Sequence, residues 1–398
     1  MLRIVAIALV LAVHAPARAD VDVTAAIDRV FSQNLPAKGP GGVAVVMQHG
    51  KVVARRAYGL ANVELGVAMQ PEHRFRIASI SKQLTAVAIL QLVDAGKLDL
   101  KASITKYLPR PPAAWAAITV AQLLSHTSGL ISGTDKPMPQ VADALNQAAT
   151  VAELRAILDK EPLHTKPGTE HAYNNWGYAL LGQIIEQVTH TPYCDYIAKK
   201  LLVPLGMTHT TCAPARTVEP GLVNGYNRDY GRDLVQAPQL TLGAAVIPAG
   251  GWVSTVDDLA RWSAGLHGGT LISKVSYAQM ITPTVQANGT SVPYGFGTRL
   301  RTADGRELVL ANGDFPGFHS EIAFDRTADC IAIVLFNTNA PYPFFTRRLL
   351  AIARGEPLPD PPAIHVIERE LRRLVGSYSG GGAPTRYIEL DQLVSPAS

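Results

Sequence analysis

The chain has 398 residues, of which 47% are hydrophobic and 17% charged, and its formal net charge is +4. That composition belongs to a folded globular protein and excludes a disordered one. Lys and Arg are spread along the sequence without a basic run, so nothing indicates a nucleic-acid surface.

The sequence begins MLRIVAIALVLAVHAPARAD. Arg3 supplies a positive start, residues 4–13 are an apolar run too short to span a bilayer, and Ala17-Arg18-Ala19 fits a small-x-small cleavage site. Residues 1–19 are expected to be a signal peptide, cut before Asp20, which makes the mature protein secreted or periplasmic. His14 and Pro16 fall where a transmembrane anchor would need apolar residues, so cleavage is expected rather than retention.

Residues 41–59, GGVAVVMQHGKVVARRAYG, are rich in β-branched side chains around His49-Gly50 and predict a hairpin. Residues 79–95 predict a helix with Ser79 as a good N-cap and Gly96 as its stop. That helix is apolar on every face, so it must be buried centrally. From about 98 to 271, short helical patterns alternate with Pro and Gly loops. VAELRAILDK and WGYALLGQIIEQVT are the clearest of these helices. Strand-like runs return in ELVLANG, EIAFD and CIAIVLFNT, with LARWSAGLHGG and RRLLAIARG as flanking helices. Strands at both ends with helices between predict an α+β fold: one sheet built from the two termini and a helical insertion. This domain is expected over 20–355, followed by the Pro-rich linker EPLPDPP and a short tail over 356–398. In an exported chain Cys194 and Cys212 are close enough in sequence to pair, leaving Cys330 in an apolar strand; three inert thiols are the alternative.

Ser79 and Lys82 are three residues apart and share a helix face, whereas Ser81 points elsewhere. A serine hydroxyl is a weak nucleophile until a base takes its proton, and a buried lysine with a lowered pKa can be that base. The bland alternative makes Ser79 a cap and Lys82 a solvated first-turn lysine. The same spacing in Ser103 to Lys106 leads into YLPRPP instead of a long apolar helix, and reads as a loop. Tyr173-x-Asn175 heads another apolar helix. Tyr173 could relay a proton and the Asn175 amide could hold Lys82 and a substrate amide, or both could simply start and cap that helix. His126 and Ser128 in LLSHTSGL read as a turn whose side chains bond local backbone. His171 sits close enough in sequence to tune Tyr173, although a solvated loop histidine is the simpler reading. No Cys/His cluster has zinc-ligand spacing.

Taken in order, SISK, LLSHTSGL, YNNWGYALLG and PAGGWVSTVDDLARW resemble the serine β-lactamase-related hydrolases, the group of class C β-lactamases, D,D-peptidases, D-aminopeptidases and related esterases. The resemblance runs from about 41 to 354. It implies a β-lactamase/transpeptidase-like fold, an antiparallel sheet flanked by helices with an all-helical region beside it. It also implies Ser79 as acylated nucleophile, Lys82 as its base, Tyr173 as general acid/base partner and Asn175 as a ligand of lysine and substrate. No cofactor or metal is implied.

The resemblance breaks at the third motif, a C-terminal strand that usually offers Lys or His, any residue, then Gly. Lining up on Pro316-Gly317-Phe318 places that cation at Ala311, followed by Asn312 and Gly313, with the oxyanion-binding backbone N–H on Asp314. Alanine cannot hold a substrate carboxylate. Two outcomes are open: a hydrolase for substrates needing no carboxylate clamp, with Asp314 repelling carboxylates if it faces the cleft, or a catalytically weak protein that binds peptidoglycan fragments or peptides. His319 could stand in for the lost cation, or be an exposed turn residue. The expected function is an exported serine hydrolase forming an acyl-enzyme on Ser79. Its substrate would be a small molecule or peptide, cell-wall fragments among the candidates: a D-amino-acid peptide, an ester or a β-lactam-like compound.

Overall fold

The computed structural model describes residues 22–131, 150–212, 218–228, 234–237, 243–303, 305–356 and 358, with two short paired strands at 376–378 and 386–388. The expected signal segment and most of the linker and tail lie outside these residues. A six-stranded antiparallel sheet organises the rest. Its strands are β1 (Gly42–Gln48), β2 (Lys51–Tyr58), β3 (Arg299–Ala303), β4 (Arg306–Phe315), β5 (Phe318–Asp325) and β6 (Cys330–Phe336), in spatial order β3-β4-β5-β6-β1-β2. Segments from the first and last parts of the described fold meet at the β1–β6 seam, where Gly42 pairs with Phe336 and Gln48 with Cys330. The predicted β1–β2 hairpin turns at His49-Gly50, whose φ values of 48° and 72° are both left-handed, as a tight two-residue hairpin turn requires.

Each face of this sheet is covered, which is why β6 reads as an unbroken apolar run and not as an alternating one. Ile331, Ile333 and Leu335 enter the core shared with the helical region, and Ala332, Val334 and Phe336 enter a second core. That second core is capped by α1 (Val23–Asn34) and α5 (Tyr342–Ala353), through Ile27, Phe31, Phe345 and Leu349. Burying each such side chain contributes about 1.5–3 kcal/mol, so the two layers hold the sheet rigidly between them.

On the other face lie α2 (Ser81–Asp94), α3 (Asn175–Thr189) and α4 (Val256–His267). Helix α2 is buried nearly all round, as expected, and Gly96 follows its end with φ 68°. Thr255 caps α4 through its hydroxyl, and Asn174 caps α3. Cys194 and Cys212 form a disulfide, and Cys330 is free and buried. Among the described residues no helix is long and apolar enough to cross a membrane.

Candidate active site

Ser79 lies in a 3-10 turn, Ala78–Ile80, immediately before α2, and not at the helix cap that the sequence suggests; Ile80 occupies the cap position and makes no side-chain cap bond. The turn is fastened by Ile77 N–H donating to Trp252 O at 3.1 Å and Ile80 N–H to Ile77 O at 3.1 Å. Ala78 takes φ 45°, a left-handed conformation that is costly for a residue with a Cβ and is held only by its surroundings. With no backbone N–H to cap, the half-buried Ser79 hydroxyl is left to Lys82, whose Nζ is 3.0 Å from Oγ. Ser81 is engaged elsewhere, its Oγ accepting from Trp252 N–H at 3.4 Å.

Lys82 is 1% exposed and buried deep in the helix packing. Its Nζ also reaches Asn175 Oδ1 at 2.8 Å and Ala249 O at 2.8 Å. All three partners are uncharged. Burial pushes the ammonium below its ordinary range; Tyr173 opposes this and the nearby Arg299 charge adds to it. The Tyr173 ring centroid is 4.8 Å from Nζ. Asn174 orders this segment. Its Oδ1 accepts from Trp176 and Gly177 N–H at 2.8 and 3.2 Å, and its Nδ2 donates to Leu130 and Ile131 carbonyls. Asn174 therefore takes the capping work, and Asn175 is free to turn its amide oxygen to Lys82.

Strand β4 forms the facing wall. Gly313 packs so closely on the Ser79 turn that a Cβ there would lie 2.1 Å from Ile77 O. Ala311 is buried and lines the cleft with Ser79, Tyr173 and Tyr294. Asn312 lines it too, but its side-chain amide donates to Asp314 Oδ2 at 3.0 Å and to Tyr342 Oη at 2.8 Å. Asp314 also accepts from the Tyr342 hydroxyl at 3.2 Å, and His319 Nε2 is 3.6 Å away. These partners put the Asp314 carboxylate on the α5 side of the sheet, so it does not guard the cleft against carboxylates. His319 does not replace the lost cation either, because its Nδ1 donates to Ala340 O at 2.9 Å on that same side.

The cleft does have a cation, and sequence reasoning missed it. Arg299 opens β3, pairs with Leu310, and lines the cleft beside Ser79 and Ala311. Its guanidinium carbon is 5.9 Å from the Tyr173 ring. Beyond Leu310, β4 has no partner in β3, so residues 311–315 present an open strand edge beside Ser79. The available signal was the Asp304-Gly305 dipeptide between two strand-like runs, a hairpin marker that places TRLRTA in the sheet.

His126 also differs from expectation. Instead of bonding its own turn, the buried ring accepts from Asn174 N–H at Nδ1 (3.1 Å) and meets Tyr294 Oη at Nε2 (3.1 Å). Ser128 does act locally, accepting from Leu130 N–H at 3.3 Å. His171 is half-buried against His126 and Tyr294, not solvated. Ser103 and Lys106 belong to a 3-10 turn in which Ser103 bonds Thr105.

A family model described as Beta-lactamase matches residues 27–355. The chain belongs to the β-lactamase family. That family of serine hydrolases includes amidases and penicillin-binding protein homologues, and the expected β-lactamase/transpeptidase-like fold is the one observed. The chain is 29% identical to protein flp of Staphylococcus aureus strain N315 over 327 residues, 79% of this chain and 63% of flp, so it spans under two thirds of that relative. It is 28% identical to the putative penicillin-binding protein PbpX of Bacillus subtilis strain 168, covering 77% of this chain and 73% of PbpX. Among solved structures, the octameric penicillin-binding protein homologue from Pyrococcus abyssi superposes with a TM-score of 0.74 at 28% identity, covering 90% and 83% of the two chains. The D-amino acid amidase from Ochrobactrum anthropi SV3 gives 0.69 at 25% identity, covering 83% and 98%.

Proposed function

We propose that this β-lactamase-family protein is an exported serine hydrolase that forms an acyl-enzyme on Ser79, with an ester or amide bearing a carboxylate as acyl donor. The observation that carries the reading is the setting of Lys82. As a free amine it would give its two N–H bonds to Asn175 Oδ1 and Ala249 O, which leaves the lone pair for the Ser79 proton. Burial favours that uncharged form.

The reaction follows from the positions. The Ser79 proton passes to Lys82 as Oγ bonds the carbonyl carbon. The resulting oxyanion is held by the backbone N–H groups of Ser79 and Asp314, the latter on the open edge of β4. The tetrahedral intermediate collapses as the leaving group takes a proton through Tyr173. Water then attacks the ester, gives a proton back through the same pair, and frees Ser79. Asn312 and Gly313 flank an extended substrate along the strand edge, and Arg299 supplies the cation that Ala311 cannot. The likeness to a D-amino acid amidase and to penicillin-binding proteins favours D-amino-acid peptides and β-lactam-like compounds of cell-wall type as donors. The apolar head of the sequence and the Cys194–Cys212 disulfide both favour an exported, oxidising setting.

The test is covalent labelling. A fluorophosphonate should add one adduct to the wild-type chain by intact mass and none to Ser79→Ala. A panel of nitrocefin, a short-chain nitrophenyl ester and a D-alanyl anilide then separates the donor classes. Absence of any adduct on the wild type overturns the reading.

A further inference from the structure

Behind the cleft, on its helical wall, four rings pack together. His126 lies 4.4 Å from Tyr173, 4.8 Å from Tyr294 and 5.9 Å from His171, centroid to centroid, and His171 lies 5.5 Å from Tyr294. His126 is 1% exposed, and its φ of 59° is uncommon for a residue with a side chain. Its imidazole joins two segments far apart in sequence. Nδ1 accepts from the backbone N–H of Asn174 and therefore carries no proton of its own, so in the neutral ring the proton sits on Nε2 and is donated to Tyr294 Oη. Burial drives the ring well below the ordinary histidine range, and the charges of Lys82, His171 and Arg299 push the same way.

Tyr178 packs against the same imidazole at 5.2 Å, centroid to centroid, and donates its hydroxyl proton to Leu124 O at 2.8 Å. The imidazole thus joins Asn174 N–H to Tyr294 Oη, accepting once and donating once. The donor is the backbone N–H between Tyr173 and Asn175, the two residues set around Lys82. The acceptor, Tyr294, lines the cleft. Among the described residues, the titratable groups facing His126 are Lys82, His171, Arg299, Tyr173, Tyr178 and Tyr294, with no carboxylate.

We infer that His126 is a positioning residue: as a neutral Nε2–H imidazole it ties the backbone between Tyr173 and Asn175 to Tyr294 and so fixes both groups around Lys82. The inference rests on the proposed acylation of Ser79 for its kinetic consequence, but the tautomer and its partners stand apart from it.

Two measurements on the full chain test it. Imidazole nitrogen spectra should show His126 as a neutral Nε2–H ring from pH 5 to 8, with its ring proton signal displaced in Tyr294→Phe. A protonated ring, the opposite tautomer, or no displacement overturns the inference whether or not Ser79 reacts. For the kinetic arm, His126→Asn is suitable because asparagine tolerates the left-handed backbone and offers an acceptor to Asn174. His126→Asn and Tyr294→Phe should each slow fluorophosphonate acylation about tenfold or more. Each should displace the pH midpoint of that reaction, and the double variant should be no slower than the slower single one. Wild-type rates and midpoints in both single variants, losses that only follow the folded fraction, or losses that multiply would overturn the positioning role. A wild type that takes no label sinks the proposed function instead, and the spectra still decide the inference.

Discussion

A buried lysine can work as a base where burial outweighs the groups that favour its charged form, and at Lys82 burial is the largest influence while Tyr173 opposes it. Nζ also meets a hydroxyl, an amide oxygen and a peptide carbonyl, all uncharged. Burial lowers its pKa, so acylation of Ser79 should rise with pH and reach half its limit below 10.5, the ordinary lysine value. Arg299 contributes to the lowering from outside the core. Removing that cation stabilises the ammonium, so Arg299→Ala should move the midpoint upward, and high salt should reproduce part of the shift in the wild type because Arg299 is exposed. The same substitution should raise KM for carboxylate-bearing donors about tenfold, the loss of one charge-assisted contact, while a neutral nitrophenyl ester keeps its KM. The check is a pH–rate series on both proteins with both donors. Equal KM changes for charged and neutral donors would remove Arg299 from substrate selection.

At the scale of elements, the site is the meeting of the Ser79 turn with one strand. The fit leaves room for hydrogen alone at residue 313, where a Cβ would sit 2.1 Å from Ile77 O. Gly313→Ala should therefore push β4 and the turn apart. Overpacking of this kind costs about 1–3 kcal/mol. Displacing the nucleophile by a fraction of an ångström should cost more in rate than in stability, on the order of a hundredfold. Thermal unfolding together with labelling rates at a temperature where both proteins are folded separates the two effects, and wild-type labelling by the variant would show that the contact does not set the geometry. Sequence reasoning singled out Ser79, Lys82, Tyr173 and Asn175, which the fold brings together, because each pair lies within one short motif at one helix start. It did not find Arg299, because that residue reaches the cleft only through a strand pairing across the sheet. It also left open which way Asp314 points. In β4 the usual alternation is masked: Leu310 enters one core and Ala311 the other, so hydropathy carries no mark of face. Whether Ser79 caps α2 or precedes it was equally unreadable, since the choice is made by Trp252, far along the chain.

For the whole molecule, the sheet separates two cores, and Glu321 is a deeply buried carboxyl on the α5 side. It is 4% exposed, pairs in register with Asn312 behind the open edge of β4, and accepts a hydrogen bond from the Thr346 hydroxyl. Burial pushes its carboxyl up to about 7; the Thr346 bond and the charges of Arg301 and Arg299 pull the other way, and Asp314 adds to the rise. Between its ordinary value of 4.5 and about 7, the folded protein keeps this proton where the unfolded chain has lost it. The folded state thus binds more protons in that window, so stability falls as pH rises through it. The contribution is complete below pH 4.5 and gone above about 7. A shift of this size corresponds to about 3 kcal/mol. Glu321→Gln keeps an acceptor for Thr346 and carries no charge at any pH, so it should match the wild type near pH 4.5 and exceed it by about that amount at pH 8. Every other titrating group acts on both proteins alike, so the difference between their denaturation midpoints across the pH series isolates this one carboxyl. A difference that stays constant from pH 4.5 to 8 would mean that Glu321 titrates in the folded protein as it does in the unfolded chain, with the Thr346 bond and the charges of Arg301 and Arg299 cancelling the effect of burial.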